Sequence, residues 1–485
     1  MGAGPTGLFA AAELARRGVP VRIVEREVVP HVQVRASSIQ ARTIEILEAI
    51  GMHEPVLERS HLVVAASGFD QSLNLLYRTP FSGADTSYPH ICILPQWETE
   101  AMLQRQCDSL GVTVERGVAA TLVEVGADDA LVSLQHADGR VEEVRPAYLL
   151  DATGAHSQAR KALHEHLEGE TYRGTFAVAD CVLDTTLPRD TVSLVTGSGH
   201  VLFFIPLPDG RWLVTVEVRD GSTTLSDDEL ASRMHDWSGG SVRLVEAGWR
   251  SVFHTHHRIA EHLGDGRHFL LGDAGHLSSP FGGEGLNAGL HDSYDIAWKL
   301  DLVLRGRALP SILDTYTLER TIADEHVIKV SDLAHNASIA MAREPENRAA
   351  PADDATIAAA VSSRFMLDID YSASPIVLVD AAQPVSAPLP GHRLRDWSVL
   401  GTTDHVLLVF GTAEAPDALA AFGARWHGTV EVRSDHPIAA EAAGVTDRGL
   451  VLLRPDGHVS ARRAGTTADD VAALDAHLRT HFVPA

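Results

Sequence analysis

The sequence predicts an α/β fold with a dinucleotide-binding type of unit at the N-terminus, a β-rich middle region and a smaller C-terminal α/β domain. Three observations predict it. A glycine-rich loop opens a helix at the N-terminus, helices and strands alternate after residue 35, and several strands follow one another within 178–218. The length of 485 residues fits roughly two to four domains of about 150 residues each.

Composition and charge exclude several classes of protein. The chain is 45% hydrophobic and 22% charged, which is ordinary for a globular protein. No apolar run reaches the roughly 18 residues of a membrane helix, so we expect no membrane-spanning segment. The net charge of -25 repels phosphate backbones and anionic lipid, which argues against nucleic acid and membrane surfaces as partners. Three scattered cysteines without a CxxC pair indicate neither disulfides nor zinc and favour the cytoplasm.

The N-terminal segment Gly2-Ala3-Gly4-Pro5-Thr6-Gly7 has the GxGxxG spacing of a dinucleotide-binding unit. A helix over 8–17 follows, Gly18 ends it, and a strand over 21–24 leads to Glu25. In such a unit the first glycine permits a tight turn, the second lets the backbone approach a pyrophosphate, and the third allows close helix packing. The helix N-terminus favours phosphate, and Glu25 would accept hydrogen bonds from a ribose.

A buried strand normally precedes such a loop, and here only Met1 stands before Gly2. Because that strand would lie inside a parallel sheet, its loss should be costly. We therefore expect the natural start of the chain to lie upstream of Met1.

After this N-terminal unit, predicted helices and strands alternate along the chain. Gly51 and Gly111 end two predicted helices, Asp138-Gly139 forms a hairpin turn, and Pro208-Asp209-Gly210 forms another turn. The predicted helices are 43–49, 96–110, 225–237, 286–304, 415–426 and 468–481. The predicted strands are 112–117, 119–125, 131–136, 141–144, 178–183, 191–195, 200–206, 212–218, 269–271, 406–410 and 450–453. Residues 341–356 are rich in Ala, Pro, Glu and Asp, which is typical of a linker.

A second polar segment follows the strand at 269–271. It consists of Gly272-Asp273-Ala274-Gly275-His276 and, after it, Pro280-Phe281-Gly282-Gly283-Glu284-Gly285-Leu286-Asn287. Asp273 can accept from a sugar-like hydroxyl, and the helix that begins near Leu286 directs N–H groups at an anionic or carbonyl edge. A ligand with a dinucleotide end, a polyol chain and a planar ring fits both segments.

These motifs resemble those of the class A flavin-dependent aromatic hydroxylases, the para-hydroxybenzoate hydroxylase family, and most of all its phenol and aromatic-polyketide hydroxylases. The resemblance covers essentially the whole chain. Besides the two glycine-rich segments, the matches are Arg35, Arg42-Thr43, Gln96, Glu100, Leu103, Ala297-Trp298-Lys299-Leu300, Leu313-Asp314-Thr315-Tyr316, Glu319-Arg320 and Arg454-Pro455-Asp456-Gly457-His458-Val459.

The resemblance implies a Rossmann-like FAD-binding domain in two parts, 1–172 and 263–345, with an inserted β-rich substrate-binding domain over 173–262. It also implies a linker over 346–374 and a thioredoxin-like C-terminal domain, without CxxC, over 375–485. The cofactor would be FAD, with NADH or NADPH and O2 as cosubstrates. A small phenolic or polyketide-like aromatic would be hydroxylated through a C4a-hydroperoxyflavin. A homodimer stays open.

The resemblance also assigns residues to the parts of FAD. Gly2, Gly4, Gly7 and Glu25 would hold the ADP half, with Arg26 beside them. Arg35 and Gln96 would lie along the pyrophosphate and ribityl chain, and Asp273 would bind the ribityl. Pro280 to Asn287, including Gly283, Gly285 and Leu286, would surround the isoalloxazine edge.

Two departures from the family concern the cofactor side. The usual Asp-Gly-Ala-Arg-Ser is Thr153-Gly154-Ala155-His156-Ser157 here, with Arg160 retained. Thr153, Gly154, His156 and Arg160 are therefore the nicotinamide-side candidates. Asp151 lies two residues too early to replace the lost carboxylate, so we expect slow or altered nicotinamide reduction. Glu284 replaces the usual Gln, and its charge would oppose an anionic reduced flavin unless it points to solvent.

The sequence nominates no catalytic base and no metal site. His254-Thr255-His256-His257 has HxH spacing but no accompanying ligand set, so a structural or substrate-pocket role is expected. The predicted function is an FAD-dependent aromatic monooxygenase. Two alternatives stay open: an oxidase, reductase or epoxidase on the same fold, and a degenerate flavin-binding partner in a biosynthetic complex.

Overall fold

The computed structural model describes residues 1–485 except 31, 35, 127–129, 163, 198, 219–222, 280–281, 344–352 and 380–387. The predicted site residues Arg35 and Pro280 therefore lie outside the described residues, as does Phe281. Among the helices described, none combines the length and the apolar character that crossing a bilayer requires.

The helices are α1 Pro5–Arg16, α2 Ala41–Ala49, α3 His53–Arg59, α4 Gln96–Ser109, α5 Gln158–Ala162, α6 Asp227–Trp237, α7 Gly285–Leu304, α8 Thr315–Arg343, α9 Asp354–Arg364, α10 Pro416–Arg425 and α11 Ala468–Leu478. The first strands are β1 Ile23–Glu25, β2 Ser38–Ile39, β3 His61–Val63, β4 Ala65–Phe69, β5 Leu75–Pro80, β6 Ile91–Ile93, β7 Val114–Arg116, β8 Val118–Val125, β9 Ala130–His136, β10 Val141–Val144 and β11 Leu149–Asp151. The others are β12 Leu167–Asp184, β13 Thr191–Gly197, β14 His200–Pro206, β15 Trp212–Val218, β16 Arg243–Ala260, β17 Gly264–Asp265, β18 His268–Leu270, β19 His276–Leu277, β20 His405–Phe410, β21 Val430–Arg433, β22 Gly449–Leu453 and β23 Val459–Arg463.

Among the described residues, four strand pairs are parallel: two of short strands near the N-terminal glycine loop and two elsewhere. β1 pairs with β7, and β11 pairs with β18. Met1 lies between these two pairs, where its carbonyl accepts from the Ala152 N–H at 2.9 Å and the Gly2 N–H donates to the Val24 carbonyl at 2.9 Å. The start of α1 is thereby attached to both sheets.

The middle of the chain forms an eight-stranded sheet in the order β19-β16-β12-β15-β14-β13-β4-β5. This sheet includes β4 and β5, which come from the first part of the chain, and β13 pairs with β4 in parallel. The segment Ala65–Phe69 consists mostly of small residues and contains no β-branched one, which is why β4 was not predicted from the sequence. One face of the sheet packs on α6 through Leu202, Val214 and Met234.

The C-terminal region is a βαβ unit followed by a hairpin and a helix. β20 pairs in parallel with β21 and antiparallel with β22, which pairs antiparallel with β23. Its apolar residues do not form a separate core. Val406 and Val459 lie in one buried cluster with Leu8 and Ile44, so this region packs directly on α1 and α2.

The segment predicted as a linker, 346–374, is structured over the part that is described. It contains α9, and Phe365, Met366 and Tyr371 after that helix are buried. The composition that indicated a linker was that of residues 341–356, and α9 begins only at the end of that range, at Asp354. Residues 354–374 instead cover the sheet and contact α7 and α8.

Candidate functional site

In the glycine-rich loop before α1, Gly2 and Gly7 are packed against backbone atoms, whereas Gly4 has open space beside it. Gly2 has a φ of +89°, and a side chain there or at Gly7 would overlap backbone atoms. Gly4 is the N-cap of α1, and nothing described lies within 4 Å of the position of a Cβ on it. The loop therefore admits close approach of a ligand at Gly4, directly above the N-terminus of α1.

Glu25 lies beside this loop at the end of β1. Its carboxylate accepts from the Ala3 N–H at 2.7 Å and from the Glu27 N–H at 2.8 Å. A carboxylate has about four acceptor positions, so capacity remains for ribose hydroxyls. The neighbouring Arg26 is on the surface, where its side chain is 76% exposed and pairs with Glu27 at 3.1 Å.

Thr6 is the residue at which the two glycine-rich segments meet. Its carbonyl accepts the Ser293 hydroxyl of α7 at 2.9 Å. A Cβ on Gly272 would lie 2.8 Å from Thr6 Oγ1, and one on Gly289 would overlap the same oxygen. The start of α1, the turn at Gly272–Ala274 and the second and third turns of α7 are thus adjacent. Neither helix has an acidic residue in its first turn, so both N-termini favour an anionic ligand.

The turn at Gly272–Ala274 is held by a buried ion network. Asp292 of α7 accepts from the Gly272 N–H at 2.8 Å, from His276 Nε2 at 2.7 Å and from Arg320 Nε at 2.6 Å. Burial alone lowers the pKa of His276, but the Asp324 and Asp292 carboxylates outweigh it and raise that pKa to about 9. His276 is therefore an imidazolium at neutral pH. Asp273, in the middle of the turn, is exposed.

His276, Asp292 and Asp324 also place three metal-ligating atoms within 4.8 Å of one another. Arg320 occupies this cluster, since it bonds Asp292 and lies 3.5 Å from Asp324. The guanidinium and the imidazolium supply the positive charge that a metal would bring. The geometry indicates an ion-pair network rather than a cation site.

Asn287 in the first turn of α7 joins α7 to the segment before α2. Its Oδ1 accepts from the Gln40 N–H at 2.9 Å and from the Thr43 hydroxyl at 2.7 Å. Its Nδ2 donates to the Ser38 carbonyl at 2.9 Å and to the Gly283 carbonyl at 2.8 Å. All four hydrogen-bonding positions of the amide are used, so Asn287 braces the loop, while the backbone of Gly285 and Leu286 lies at the helix start.

The nicotinamide-side candidates surround Asp151 at the end of β11. The Asp151 carboxylate accepts from the Thr153 hydroxyl at 2.6 Å and from the Ser157 hydroxyl at 2.6 Å. Burial would raise the pKa of Asp151, but the His268 imidazole 3.8 Å away and hydrogen bonds from the Ser157 and Thr153 hydroxyls lower it to about 2. This carboxylate is turned inward and fixes the loop.

Two of the other candidates on this loop differ in exposure. Arg160 is buried and donates to the Ala274 carbonyl at 2.5 Å, which ties the loop to the Gly272–Ala274 turn. His156 is exposed, and Gly154 has a φ of +85° with open space around it. Arg160 thus holds the loop against the Gly272–Ala274 turn.

Gln96 and the histidine cluster make local contacts. Gln96 begins α4, and its Nε2 donates to Glu100 at 2.8 Å. His257 of β16 lies 3.1 Å from Asp332 of α8, while the His254 side chain lies outside the described part of the chain.

Near the second segment, sequence reasoning left the orientation of Glu284 open and missed two residues, Gln40 and Arg364. Glu284 does not face solvent: its side chain is fully buried. Gln40 donates to the Gly282 carbonyl at 3.1 Å, and Arg364 of α9 approaches the same oxygen at 3.4 Å. The only sequence signal for Gln40 was its position two residues before the family match Arg42-Thr43. Arg364 was missed because it lies in the segment predicted as a linker.

Comparison with known proteins agrees with this geometry. Residues 1–331 match the family described as FAD binding domain. The 6-methylpretetramide 4-monooxygenase of Streptomyces rimosus is 37% identical over 327 residues, which cover 66% of this chain. The aligned part of this chain spans only 58% of that protein's length.

Solved structures match over the full length of the chain. The anhydrotetracycline hydroxylase from Streptomyces rimosus is 27% identical with a TM-score of 0.78, covering 100% of this chain and 98% of that one. A Diels-Alderase of pyrroindomycin biosynthesis is 26% identical with a TM-score of 0.78 and the same coverage. The shared fold therefore includes the C-terminal region beyond residue 331.

Proposed function

Because residues 1–331 match its family model, the chain belongs to the FAD binding domain family, and we propose that it is an FAD-dependent aromatic monooxygenase. Its substrate would be a phenolic or polyketide-like aromatic, as the name of the 6-methylpretetramide 4-monooxygenase suggests. The observation that supports this most is the meeting of α1, the Gly272–Ala274 turn and α7 at Thr6. That arrangement provides the N-terminus of α1, an open glycine and a carboxylate for one extended ligand, and α7 leads from it back to a second helix N-terminus at Gly285.

The residues present fit FAD. Gly4 and the N-terminus of α1 would take the pyrophosphate, Glu25 the ribose, and Asp273 the ribityl hydroxyls. The loop from Gly283 to Leu286 would hold the ring edge. FAD, once reduced by NADH or NADPH, supplies the activation of O2, with one oxygen atom going to the aromatic carbon and the other to water. The protein would orient the aromatic ring of the substrate and exclude water from the site.

A second candidate is an FAD-binding protein that does not hydroxylate. Two observations favour it: the Diels-Alderase has the same fold, and the Asp151 carboxylate is committed to Thr153 and Ser157 rather than open to a ligand. An oxidase, a reductase or an epoxidase would likewise be an FAD-binding protein that does not hydroxylate an aromatic ring. Each is compatible with this fold, because a fold alone does not determine the reaction.

The experiment that tests the proposal is turnover under ¹⁸O2. The purified protein with FAD would be given NADH or NADPH and a panel of phenols and polycyclic aromatic polyketides. We expect a product heavier by one ¹⁸O atom on the ring and one nicotinamide oxidised per product. Hydrogen peroxide without labelled product would indicate an oxidase. A product formed without nicotinamide or O2 would favour the non-hydroxylating candidate.

A further inference from the structure

Tyr371 is a buried tyrosine in the segment that follows α9. Its ring packs on the His458 imidazole, with the two ring centres 4.6 Å apart, and the guanidinium carbon of Arg454 lies 5.3 Å from its centre. Its backbone N–H donates to the Gly391 carbonyl at 3.0 Å, and the Gly391 N–H donates to the Val459 carbonyl of β23 at 2.8 Å. Both the ring and the backbone of Tyr371 are therefore fixed to the C-terminal region.

The hydroxyl group of Tyr371 contacts Arg320 of α8. The hydroxyl oxygen accepts from Arg320 Nη1 at 2.9 Å, while Nε of the same guanidinium donates to Asp292 Oδ1 at 2.6 Å. The third nitrogen, Nη2, lies 3.5 Å from Asp324 Oδ1. A guanidinium is planar and rigid, so a contact at one nitrogen fixes the directions of the N–H groups at the others. The Tyr371 hydroxyl thus helps to set the plane in which Arg320 meets Asp292.

The Asp292 carboxylate joins Arg320 to the turn at Gly272–Ala274. Its Oδ1 accepts from Arg320, whereas its Oδ2 accepts from the Gly272 N–H at 2.8 Å and from His276 Nε2 at 2.7 Å. The last torsion angle of an aspartate side chain has a broad energy minimum, so hydrogen-bond partners decide how the carboxylate is rotated. Arg320 on one oxygen therefore helps to direct the other oxygen at the Gly272 N–H.

We propose that Tyr371 is a positioning residue of the Gly272–Ala274 turn and makes the geometry of that turn depend on the C-terminal region. It acts through Arg320 and Asp292, so three buried hydrogen bonds in series join its hydroxyl to the Gly272 N–H. The C-terminal region thereby contributes to the site, although every residue assigned to FAD precedes it in the chain. That the turn binds the ribityl chain of FAD rests on the proposed function; the connection from Tyr371 to the turn does not.

The first test measures hydrogen exchange of the Gly272 N–H in the apoprotein, without FAD, and compares it with exchange of the Phe204 N–H in β14. Tyr371→Phe keeps the ring and removes the hydroxyl, so exchange at Gly272 should become about threefold to tenfold faster, the effect of weakening one hydrogen bond. Exchange at Phe204, which lies in the core of the eight-stranded sheet and reports unfolding of the whole molecule, should change less.

Tyr294→Phe is the matched control for this test. The Tyr294 hydroxyl is also buried and donates to the Pro455 carbonyl of the C-terminal region at 3.1 Å, but it takes no part in the series that ends at Gly272. This variant should lower the thermal midpoint without accelerating exchange at Gly272 beyond that at Phe204. Equal acceleration at Gly272 in the two variants, or none in Tyr371→Phe, would reduce Tyr371 to a packing role and overturn the proposal.

The second test is a double-mutant cycle on FAD affinity with Tyr371→Phe and Asp292→Asn. Tyr371→Phe alone should weaken FAD binding about threefold to tenfold, because the turn is less well fixed. Since Tyr371 acts through Asp292, the same substitution should cause little further loss in the Asp292→Asn background. Fully additive losses would overturn the proposal.

The two tests separate this proposal from the proposed function. Faster exchange at Gly272 in Tyr371→Phe with unchanged FAD affinity would keep the connection between Tyr371 and the turn, and would count against the position given to FAD. If Asp292→Asn does not fold, the difference in Gly272 exchange between Tyr371→Phe and Tyr294→Phe decides the question alone.

Discussion

At the scale of single residues, substitution of Gly4 should weaken FAD binding much more than it destabilises the fold. Its φ of -73° suits any residue, and no described atom lies near a Cβ on it, so Gly4→Ala should cost the apoprotein at most about 1 kcal/mol. The added methyl would occupy the opening to the pyrophosphate. We expect FAD affinity to fall at least about tenfold, the effect of about 1.4 kcal/mol. Gly423→Ala in α10, where a Cβ makes only an ordinary contact, is the matched control. Unchanged affinity in Gly4→Ala would place the cofactor elsewhere.

His276 predicts a pH dependence of stability at the same scale. Its pKa is raised from 6.5 to about 9 in the folded protein, so its ion pair with Asp292 stabilises fully below pH 6.5. This contribution is lost as pH rises through about 9. The thermal midpoint of the wild type should therefore fall over this range relative to His276→Gln. His262→Gln, at an exposed position, should follow the wild type. A constant difference between wild type and His276→Gln would contradict the assignment.

At the scale of elements, Asn287 joins α7 to the start of α2. Asn287→Ala would leave buried partners such as the Ser38 carbonyl and the Gln40 N–H unpaired, each costing about 1–3 kcal/mol. We expect the thermal midpoint to fall and FAD binding to weaken together. Asn74→Ala removes one exposed hydrogen bond to Asp70 and should change stability by less than about 0.5 kcal/mol. Equal midpoints for the two variants would exclude the bracing role.

Sequence reasoning reached the elements whose signals are local. The helix of 286–304 and the strands of 200–206 and 212–218 are found as α7, β14 and β15, because glycine loops and apolar alternation mark them. Pairing of β4 with β13 and the approach of Arg364 to Gly282 were missed. Both join residues far apart in the chain, and no local pattern encodes such contacts.

At the scale of the whole molecule, a buried ion network joins the C-terminal region to α7 and α8. Arg454 is fully buried and donates to Glu319 at 2.7 Å and 2.8 Å, and Lys299 contacts Glu319 at 2.9 Å. Arg454→Met should destabilise the protein by about 3–5 kcal/mol, since it leaves buried carboxylates with too little positive charge. Arg448→Met, which breaks an exposed pair with Glu414, should cost at most about 1 kcal/mol. Similar thermal midpoints would show that this network does not hold the region in place.

The most direct test of the central claim is anaerobic reduction of the bound flavin by NADH or NADPH, with and without phenolic compounds. The proposed monooxygenase should hold FAD at one per chain, and one class of aromatic should accelerate loss of the oxidised flavin absorbance. Slow reduction that an aromatic accelerates would also agree with the altered Thr153–Ser157 loop. FAD that stays bound and oxidised with every nicotinamide and every aromatic would contradict the account.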